Sequence, residues 1–194
     1  MENTQNKKFI FLYPQQEIFE QKINVKLSEQ EKVKFNYSKK LNSCIHYRYR
    51  LNGFSIVYAL LDDSSVSDII QLKPKDKIIY VGMDSKTHRT KKINGKYPYP
   101  NQDFILNQIL PVDTLVVGGF HMWDCVEKLA RRAHKKGINV LVDEDLTDFF
   151  AGRIIDKDFR IKKYPTYNPK LEGQLYFESF MQARKNKPWL FQNY

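Results

Sequence analysis

A cysteine at position 125 has the type and placement of a candidate nucleophile. It lies within TLVVGGFHMWDCVEKLARRAHKKGINVLVDEDLT, residues 114–147. This pattern predicts a strand, a glycine turn, a helix that ends before Gly137, and a second strand. Cys125 would fall in the first helical turn, where the positive end of the helix dipole favours a thiolate. The chemistry it could perform is attack on a carbonyl carbon.

The remaining cysteine and the histidines do not suggest a second chemical centre. Cys44 falls on the apolar face of a predicted helix, so we interpret it as a buried core thiol. The two cysteines do not suggest a disulfide framework. The histidines at 46, 88, 121 and 134 lack zinc-ligand spacing. We therefore expect no bound metal and no cofactor.

Apolar segments that alternate with helical patterns would position Cys125. Strands are predicted at 8–13, 54–61, 77–82, 113–119 and 138–143. Ser28 and Glu31 form a capping box that should start a helix reaching about Leu51, with Gly53 as its stop. The alternation predicts an α/β fold, a three-layer α/β/α doubly wound structure with a mainly parallel sheet of five to six strands. We expect one domain over 1–194, in which 156–194 is a less regular extension. Within this extension a helix is predicted at 171–185, and the aromatic end should pack on the body of the molecule or on a second subunit.

Composition limits the partners that this chain could have. The apolar runs are shorter than the roughly 18 residues of a membrane span, and the N-terminus lacks a signal-peptide core, so we expect a cytoplasmic protein with no membrane partner. The formal net charge is +10, with basic clusters at 48–50, 86–92 and 131–136. This charge allows nucleic acid or another polyanion as a partner without favouring it. A small-molecule substrate or ligand and a homo-oligomer are the expected partners.

The segment around Cys125 resembles the signature of the isochorismatase-like cysteine hydrolases. The matching positions are Gly119, Cys125, Val126, Ala130, Ala133 and Gly137. The resemblance implies the same three-layer α/β fold and hydrolysis of small amides or vinyl ethers, in most members by an Asp–Lys–Cys triad. It also implies a non-proline cis peptide between Phe120 and His121, and an oxyanion site formed by backbone amides near Asp124 and Cys125.

The sequence departs from that pattern at both of the other triad positions. Tyr13 stands where the resemblance implies the aspartate, and near the implied lysine position there is no lysine until Lys86. A replacement base could be His121 or Asp84, and Lys86 or Arg89 could help to stabilise the thiolate.

Two aromatic residues flank the cysteine turn and have two interpretations. Phe120 and Trp123 could form the wall of a pocket for a planar ligand, or they could be core or subunit contacts. Tyr13 could fill or narrow the same pocket while its hydroxyl still donates a hydrogen bond to a ligand.

Several functions remain open at this level. The leading hypothesis is an atypical cysteine hydrolase that acts on a small amide, ester or related carbonyl substrate. The alternative is a catalytically inactive ligand- or partner-binding module of the same fold. A phosphatase could use Asp143 and Asp145 with magnesium, although we interpret Asp145 as an acidic residue at the N-terminus of a helix. A metal-dependent nuclease could use Asp62, Asp84 and Asp143.

Overall fold

The strands of the molecule lie close to their predicted positions. The computed structural model describes residues 6–23, 28–92, 94–157, 159–163, 182 and 184–190. Five strands are present: β1 (Lys7–Leu12), β2 (Ser55–Leu60), β3 (Lys77–Tyr80), β4 (Thr114–Gly119) and β5 (Asn139–Thr147). Almost all of the helix predicted over 171–185 lies outside the described residues.

The helices are mostly short. They are α1 (Gln16–Ile23), α2 (Glu29–Lys34), α3 (Tyr37–Cys44), α4 (Ser85–Arg89), α5 (Gln102–Asn107), α6 (Glu127–Lys135) and α7 (Phe150–Arg153). A π-helical turn over Ile45–Tyr49 extends α3, and another over Met122–Val126 leads into α6. None of the helices in the described part of the chain is long and apolar enough to cross a membrane.

The five strands form one parallel sheet in the order β3-β2-β1-β4-β5. The predicted α/β class and doubly wound parallel sheet are therefore confirmed. The chain moves in one direction from β1 to β2 and in the other from β4 to β5. Because such crossovers are right-handed, α1–α3 and α6 cover opposite faces of the sheet. The strand order reverses between β1 and β4, which makes their carboxyl ends the expected place for a ligand.

The central strand β1 is buried because both of its edges and both of its faces are covered. Ile10 pairs with Val57 of β2 and with Val117 of β4. Phe9 stacks on Tyr49, with ring centroids 4.2 Å apart. The apolar run of β1 is thus explained by burial on both faces, as is usual for parallel sheets.

The helix predicted from Ser28 to about Leu51 is interrupted. The capping box is present, since the Ser28 amide donates to Glu31 Oε2 at 2.8 Å. However, Asn36 adopts a left-handed conformation with φ of 52°, which ends α2 and redirects the chain. Val33, predicted to lie on the buried face, is 78% exposed as a result.

β5 is longer than predicted, and this corrects the interpretation of its acidic end. Asp145 is a buried strand residue and not a helix N-terminal acid. Arg48 bonds both oxygens of Asp143 at 3.0 Å and Asp145 at 2.9 Å. Arg153 binds Asp145 from the other side. Arginines from distant segments therefore make this acidic strand end compatible with burial.

The described part of the C-terminal segment packs on the body of the molecule. Trp189 and Leu190 are buried, and the Val142 amide donates to the Trp189 carbonyl at 2.8 Å. The rings of Trp189 and His134 of α6 lie 5.8 Å apart. At these two residues, the segment contacts its own chain, one of the two arrangements that we expected.

Candidate functional site

The residues next to β1 and β4 meet where the strand order reverses. Tyr13 follows β1 directly, and Phe120 follows β4. The Phe120 amide donates to the Leu12 carbonyl at 3.1 Å, which joins the two strand ends. Tyr13 and Cys125, far apart in the sequence, lie close enough for each to act on the pKa of the other.

Tyr13 is fixed in an uncommon backbone conformation. Its φ is 57°, a region in which asparagine and aspartate are enriched and bulky residues are rare. Its amide donates to the Ala59 carbonyl of β2 at 2.8 Å. The side chain is buried, and burial, followed by the charge of Cys125, raises the pKa of its hydroxyl well above the usual range. Tyr13 therefore carries a proton at physiological pH and can act as a hydrogen-bond donor.

The glycine at the end of β4 permits the close approach of β1. Gly119 has a φ of +97°, and a Cβ atom there would lie 2.2 Å from the Leu12 carbonyl oxygen. The next peptide bond, between Phe120 and His121, is cis. This is the non-proline cis bond that the family resemblance implies.

Cys125 is a buried thiol in the π-helical turn that precedes α6. It is 6% exposed, and burial raises its pKa to about 12. The Tyr13 contact and the positive charge of Lys128 lower this pKa, whereas the negative charges of Asp124 and Asp148 raise it. Burial is the largest of these effects, so the neutral thiol is the favoured form at pH 7, contrary to the thiolate expected from the sequence.

The candidate bases have other partners. His121 Nδ1 lies 3.1 Å from Asp148 Oδ2, which orients that side of the ring toward Asp148. Asp84 caps α4, because its carboxylate accepts from the Thr87 amide and hydroxyl at 2.7 Å each. Lys86 is exposed on α4 without an ion pair in the described part of the chain. The structure thus brings Tyr13 and His121 to the cysteine turn but leaves Asp84 and Lys86 on a separate helix.

The implied oxyanion site is partly occupied by the protein itself. The amide of Asp124 donates to the His121 carbonyl at 3.1 Å, as does the amide of Val126. An amide that already has an acceptor cannot stabilise a developing oxyanion without rearrangement. Of the two amides proposed from the resemblance, that of Asp124 is therefore engaged.

Lys128 and Tyr99 are site residues that the sequence analysis missed. Lys128 forms an ion pair with Asp124, one turn earlier. Its Nζ also lies 3.7 Å from the centre of the Tyr99 ring. An Asp and a Lys thus lie beside the cysteine, although both come from the cysteine segment. The i, i+3 spacing of Cys125 and Lys128 was the available signal, since such residues share a helix face.

The two aromatic residues of the turn differ in environment. Phe120 is buried against Phe19, with centroids 5.2 Å apart, and is a core residue. Trp123 is 45% exposed, and Lys187 Nζ lies 4.9 Å from the centre of its ring. Trp123 therefore remains available to a ligand at the surface, whereas Phe120 does not.

A cavity lies next to this group of residues. Its volume is about 500 Å³, within the range of small-molecule sites. Its lining includes Gln16, Phe19, Asn36, Tyr37 and Ile69. Phe19 packs on Phe120, and the charge of Asp148 acts on Tyr37, so the cavity and the cysteine turn share neighbouring side chains.

The carboxylates proposed for phosphatase or nuclease chemistry are engaged by groups of the protein itself. Asp143 and Asp145 are enclosed in the ion pairs with Arg48 and Arg153. Asp62 accepts from the Gly82 amide, and Asp84 caps α4. Among the described residues, no group of three His, Cys, Asp or Glu side chains is placed to hold a metal ion. These positions therefore do not form the predicted phosphatase or nuclease centre.

Comparisons with known proteins give similarities of fold. No family model and no curated protein matches the sequence. Among solved structures, an isochorismatase family protein shares 17% identity and a TM-score of 0.46, over 80% of this chain and 96% of its own. An N-carbamoylsarcosine amidase from Thermoplasma acidophilum shares 19% identity and a TM-score of 0.46, over 81% of this chain and 98% of its own. A candidate MAR1 ribonuclease from Leishmania major shares 12% identity and a TM-score of 0.48, over 95% of this chain and 93% of its own.

At these identities the likeness concerns the fold alone. The structure of this chain shows, independently of the comparisons, a parallel sheet with flanking helices. It also places Tyr13 near Cys125 where the strand order reverses. With this architecture, the chain has a doubly wound, parallel α/β fold.

Proposed function

We propose that this chain is an isochorismatase-like ligand-binding protein that does not turn over its ligand by hydrolysis. The proposal depends mainly on one observation, that the buried Tyr13 lies beside the buried Cys125 and acts on the pKa of its thiol. A cysteine hydrolase needs a base that accepts the thiol proton. Tyr13 is itself protonated and cannot serve as that base at neutral pH.

The surroundings of the thiol oppose ionisation. Burial raises the pKa of Cys125 to about 12, far above the value near 8.5 of an exposed cysteine. Asp124, which could accept a proton, is already paired with Lys128. The thiol is therefore a small core group that is held in its neutral form.

Ligand binding is supported by the cavity of about 500 Å³, which Gln16 helps to line, and by the adjacent residue Gln15. Gln15 is 2% exposed, and neither polar atom of its amide has a hydrogen-bond partner in the described structure. A buried amide without partners costs free energy that a bound polar group could offset. A small molecule with an apolar part and an amide- or carboxyl-like group fits these features.

Hydrolysis of a substrate by a cysteine nucleophile is the second candidate function, and the presence of Lys128 beside Cys125 favours it. Its positive charge lowers the pKa of the thiol, in the sense needed for a nucleophile. In this chemistry the thiolate would attack the substrate carbonyl, and the amine or alcohol would leave as that leaving group takes up a proton. Water would then cleave the resulting thioester and return the thiol.

The rate of alkylation of Cys125 as a function of pH separates the two candidates. Native protein is treated with iodoacetamide between pH 6 and 10, and modification at Cys125 and Cys44 is followed by mass spectrometry. We expect slow modification that rises throughout this range without a plateau. Cys44 is the internal control, because burial also raises the pKa of its thiol to about 12. Denatured protein gives the rate at which both thiols react when they are accessible.

A plateau below about pH 8 would contradict the proposal, because it would reveal a stabilised and accessible thiolate. A screen of amides, esters and vinyl ethers against wild type and Cys125→Ser provides the second test. Turnover that disappears in Cys125→Ser would establish the hydrolase. Loss of that turnover in Lys128→Met, with the fold retained, would assign Lys128 to thiolate stabilisation.

A further inference from the structure

Helix α4 and the loop that follows it carry lysines without acidic partners in the described part of the chain. Lys86, Lys91, Lys92 and Lys96 are exposed, and none forms an ion pair in the described part of the chain. In contrast, the neighbouring Arg89 pairs with Glu17 at 3.1 Å. We call these four lysines together with Tyr97 the basic loop surface.

The backbone of the loop concentrates this charge. The Lys92 amide donates to the Lys96 carbonyl at 3.0 Å, and the Gly95 amide donates to the Lys92 carbonyl at 2.8 Å. The chain therefore turns back on itself, which brings the backbone of Lys92 next to that of Lys96. Like charges brought together without counter-charges create a positive potential that a polyanion would relieve.

Exposed aromatic rings accompany the lysines. Tyr97 is 44% exposed, and Lys91 Nζ lies 5.4 Å from the centre of its ring. Lys128 is similarly placed over Tyr99, as is Lys187 over Trp123. Alternating rings and cations suit a polymer that presents flat bases and phosphates in turn.

The loop is joined to the carboxyl edge of the sheet. His88 Nδ1 lies 3.0 Å from the Pro98 carbonyl, and the His88 ring is 5.8 Å from the ring of Tyr13. The contact of Tyr99 with Lys128 connects the loop to the cysteine segment, on which Trp123 is exposed. The lysines and the rings therefore lie along one edge of the molecule.

We propose that the basic loop surface, continued by Trp123, binds single-stranded nucleic acid. The lysines contact phosphates, and Tyr97 and Trp123 stack on bases. A duplex offers the same phosphates but keeps its bases stacked inside, so the aromatic rings favour a single strand. This surface adjoins the cysteine turn but does not include the buried Cys125 thiol, so its function does not depend on the ligand-binding proposal.

Fluorescence anisotropy with the full chain tests the proposal. The probes are a labelled unstructured oligonucleotide of about 20 nucleotides, as RNA and as DNA, and a duplex of equal length. The loop variant replaces Lys86, Lys92 and Lys96 with Gln. A matched control replaces Lys73, Lys75 and Lys135 with Gln. These lysines are also exposed and form no ion pairs in the described structure, but they lie toward the amino ends of the strands.

We expect the loop variant to weaken single-strand binding at least tenfold at 100 mM salt, and the control variant less than threefold. The slope of log K against log salt should fall by about 2 in the loop variant only, since each phosphate contact on a single strand contributes roughly 0.7. Tyr97→Ala should weaken single-strand binding by about fivefold or more while leaving duplex binding unchanged. Circular dichroism and thermal melting establish that each variant is folded.

Three results would overturn the proposal. Equal losses in the two triple variants would mean that net charge alone drives binding. Equal affinity for duplex and single strand would leave the aromatic rings without a role. Absence of single-strand binding at 50 mM salt would rule out nucleic-acid binding altogether. None of these results bears on the alkylation of Cys125, which tests the proposed function separately.

Discussion

Tyr13 shows how one side chain can change the chemistry of a site without changing its backbone. Its left-handed conformation suits a small polar residue such as aspartate or asparagine. The tyrosine keeps this conformation and directs a hydroxyl to Cys125 in place of a carboxylate. The backbone at this position would therefore suit the aspartate that the sequence resemblance implies, but the side chain present is a tyrosine beside the thiol.

Gly119 is the residue at which we expect a small substitution to be most damaging. An alanine Cβ at Gly119 would meet the Leu12 carbonyl oxygen at 2.2 Å and the Leu12 amide nitrogen at 2.4 Å. These are backbone atoms of the central strand and cannot move without disturbing its pairing. We expect Gly119→Ala to lower the free energy of unfolding by more than about 3 kcal/mol, measured by urea denaturation.

Gly137→Ala is the matched control for this experiment. Gly137 also has a positive φ, of +77°, but a Cβ there would have no atom within 4 Å. Its cost should be that of the left-handed conformation alone, about 1–2 kcal/mol. Equal losses for the two variants would mean that contact with β1 is unimportant.

At the scale of elements, the strands were predictable because burial on both faces requires continuous apolar segments. β1 and β2 end within one residue of their predicted ends, at Leu12 and Leu60. The end of β5 was not predictable, because Asp143 and Asp145 resemble a loop until their distant arginine partners are known. The interruption at Asn36 was missed because the apolar residues at helical spacing continue on both sides of it.

The candidate site was predictable only in part. Parallel topology brings the residue after β1 to the residues after β4, so the meeting of Tyr13 and Cys125 followed from strand order. The ion pair of Lys128 and Asp124 resembled an ordinary surface pair of a helix. The raised pKa of Cys125 depends on burial, which no local pattern of residues reports.

The buried arginine that joins α3 to β5 provides a prediction at this scale. Arg48→Leu would leave Asp143 and Asp145 without their shared cation. We expect it to lower the free energy of unfolding by about 3–5 kcal/mol at pH 7, measured by urea denaturation. The exposed pair of Arg89 with Glu17 is the control, and Arg89→Leu should cost less than about 1 kcal/mol.

The pH dependence of this loss has a defined sign. Burial raises the pKa of Asp143, whereas Arg48 and Tyr49 lower it. Without Arg48 the raising effect is less opposed, so the folded variant favours the neutral carboxyl. The penalty is then present above the unfolded pKa near 3.9 and decreases as pH falls toward it. The loss should therefore be smaller at pH 5 than at pH 7, and an equal loss at both would contradict burial as its cause.

At the scale of the whole molecule, the excess of positive charge should oppose folding at low ionic strength. The formal net charge is +10, and compact chains of high net charge repel themselves. Salt screens this repulsion, whereas the buried pairs of Arg48 are screened much less. We expect the melting temperature to rise by several degrees between 20 and 300 mM sodium chloride.

The triple variant with Gln at positions 73, 75 and 135 checks the origin of this effect. Its formal net charge is lower by three, at positions without ion pairs in the described structure. Its melting temperature should therefore depend less on salt than that of wild type. An unchanged or larger dependence would attribute the effect to something other than self-repulsion.

The central place of β1 has a consequence for the order in which the protein is made. β1 leaves the ribosome before β2 and β4, and it can pair with β2 on one edge while its other edge waits for β4. Until Thr114–Gly119 emerges, the nascent chain exposes one long side of an apolar strand, the kind of edge that attracts other chains. We expect productive folding in the cell to depend on chaperones that shield nascent chains, and slower translation before codon 114 to increase aggregation.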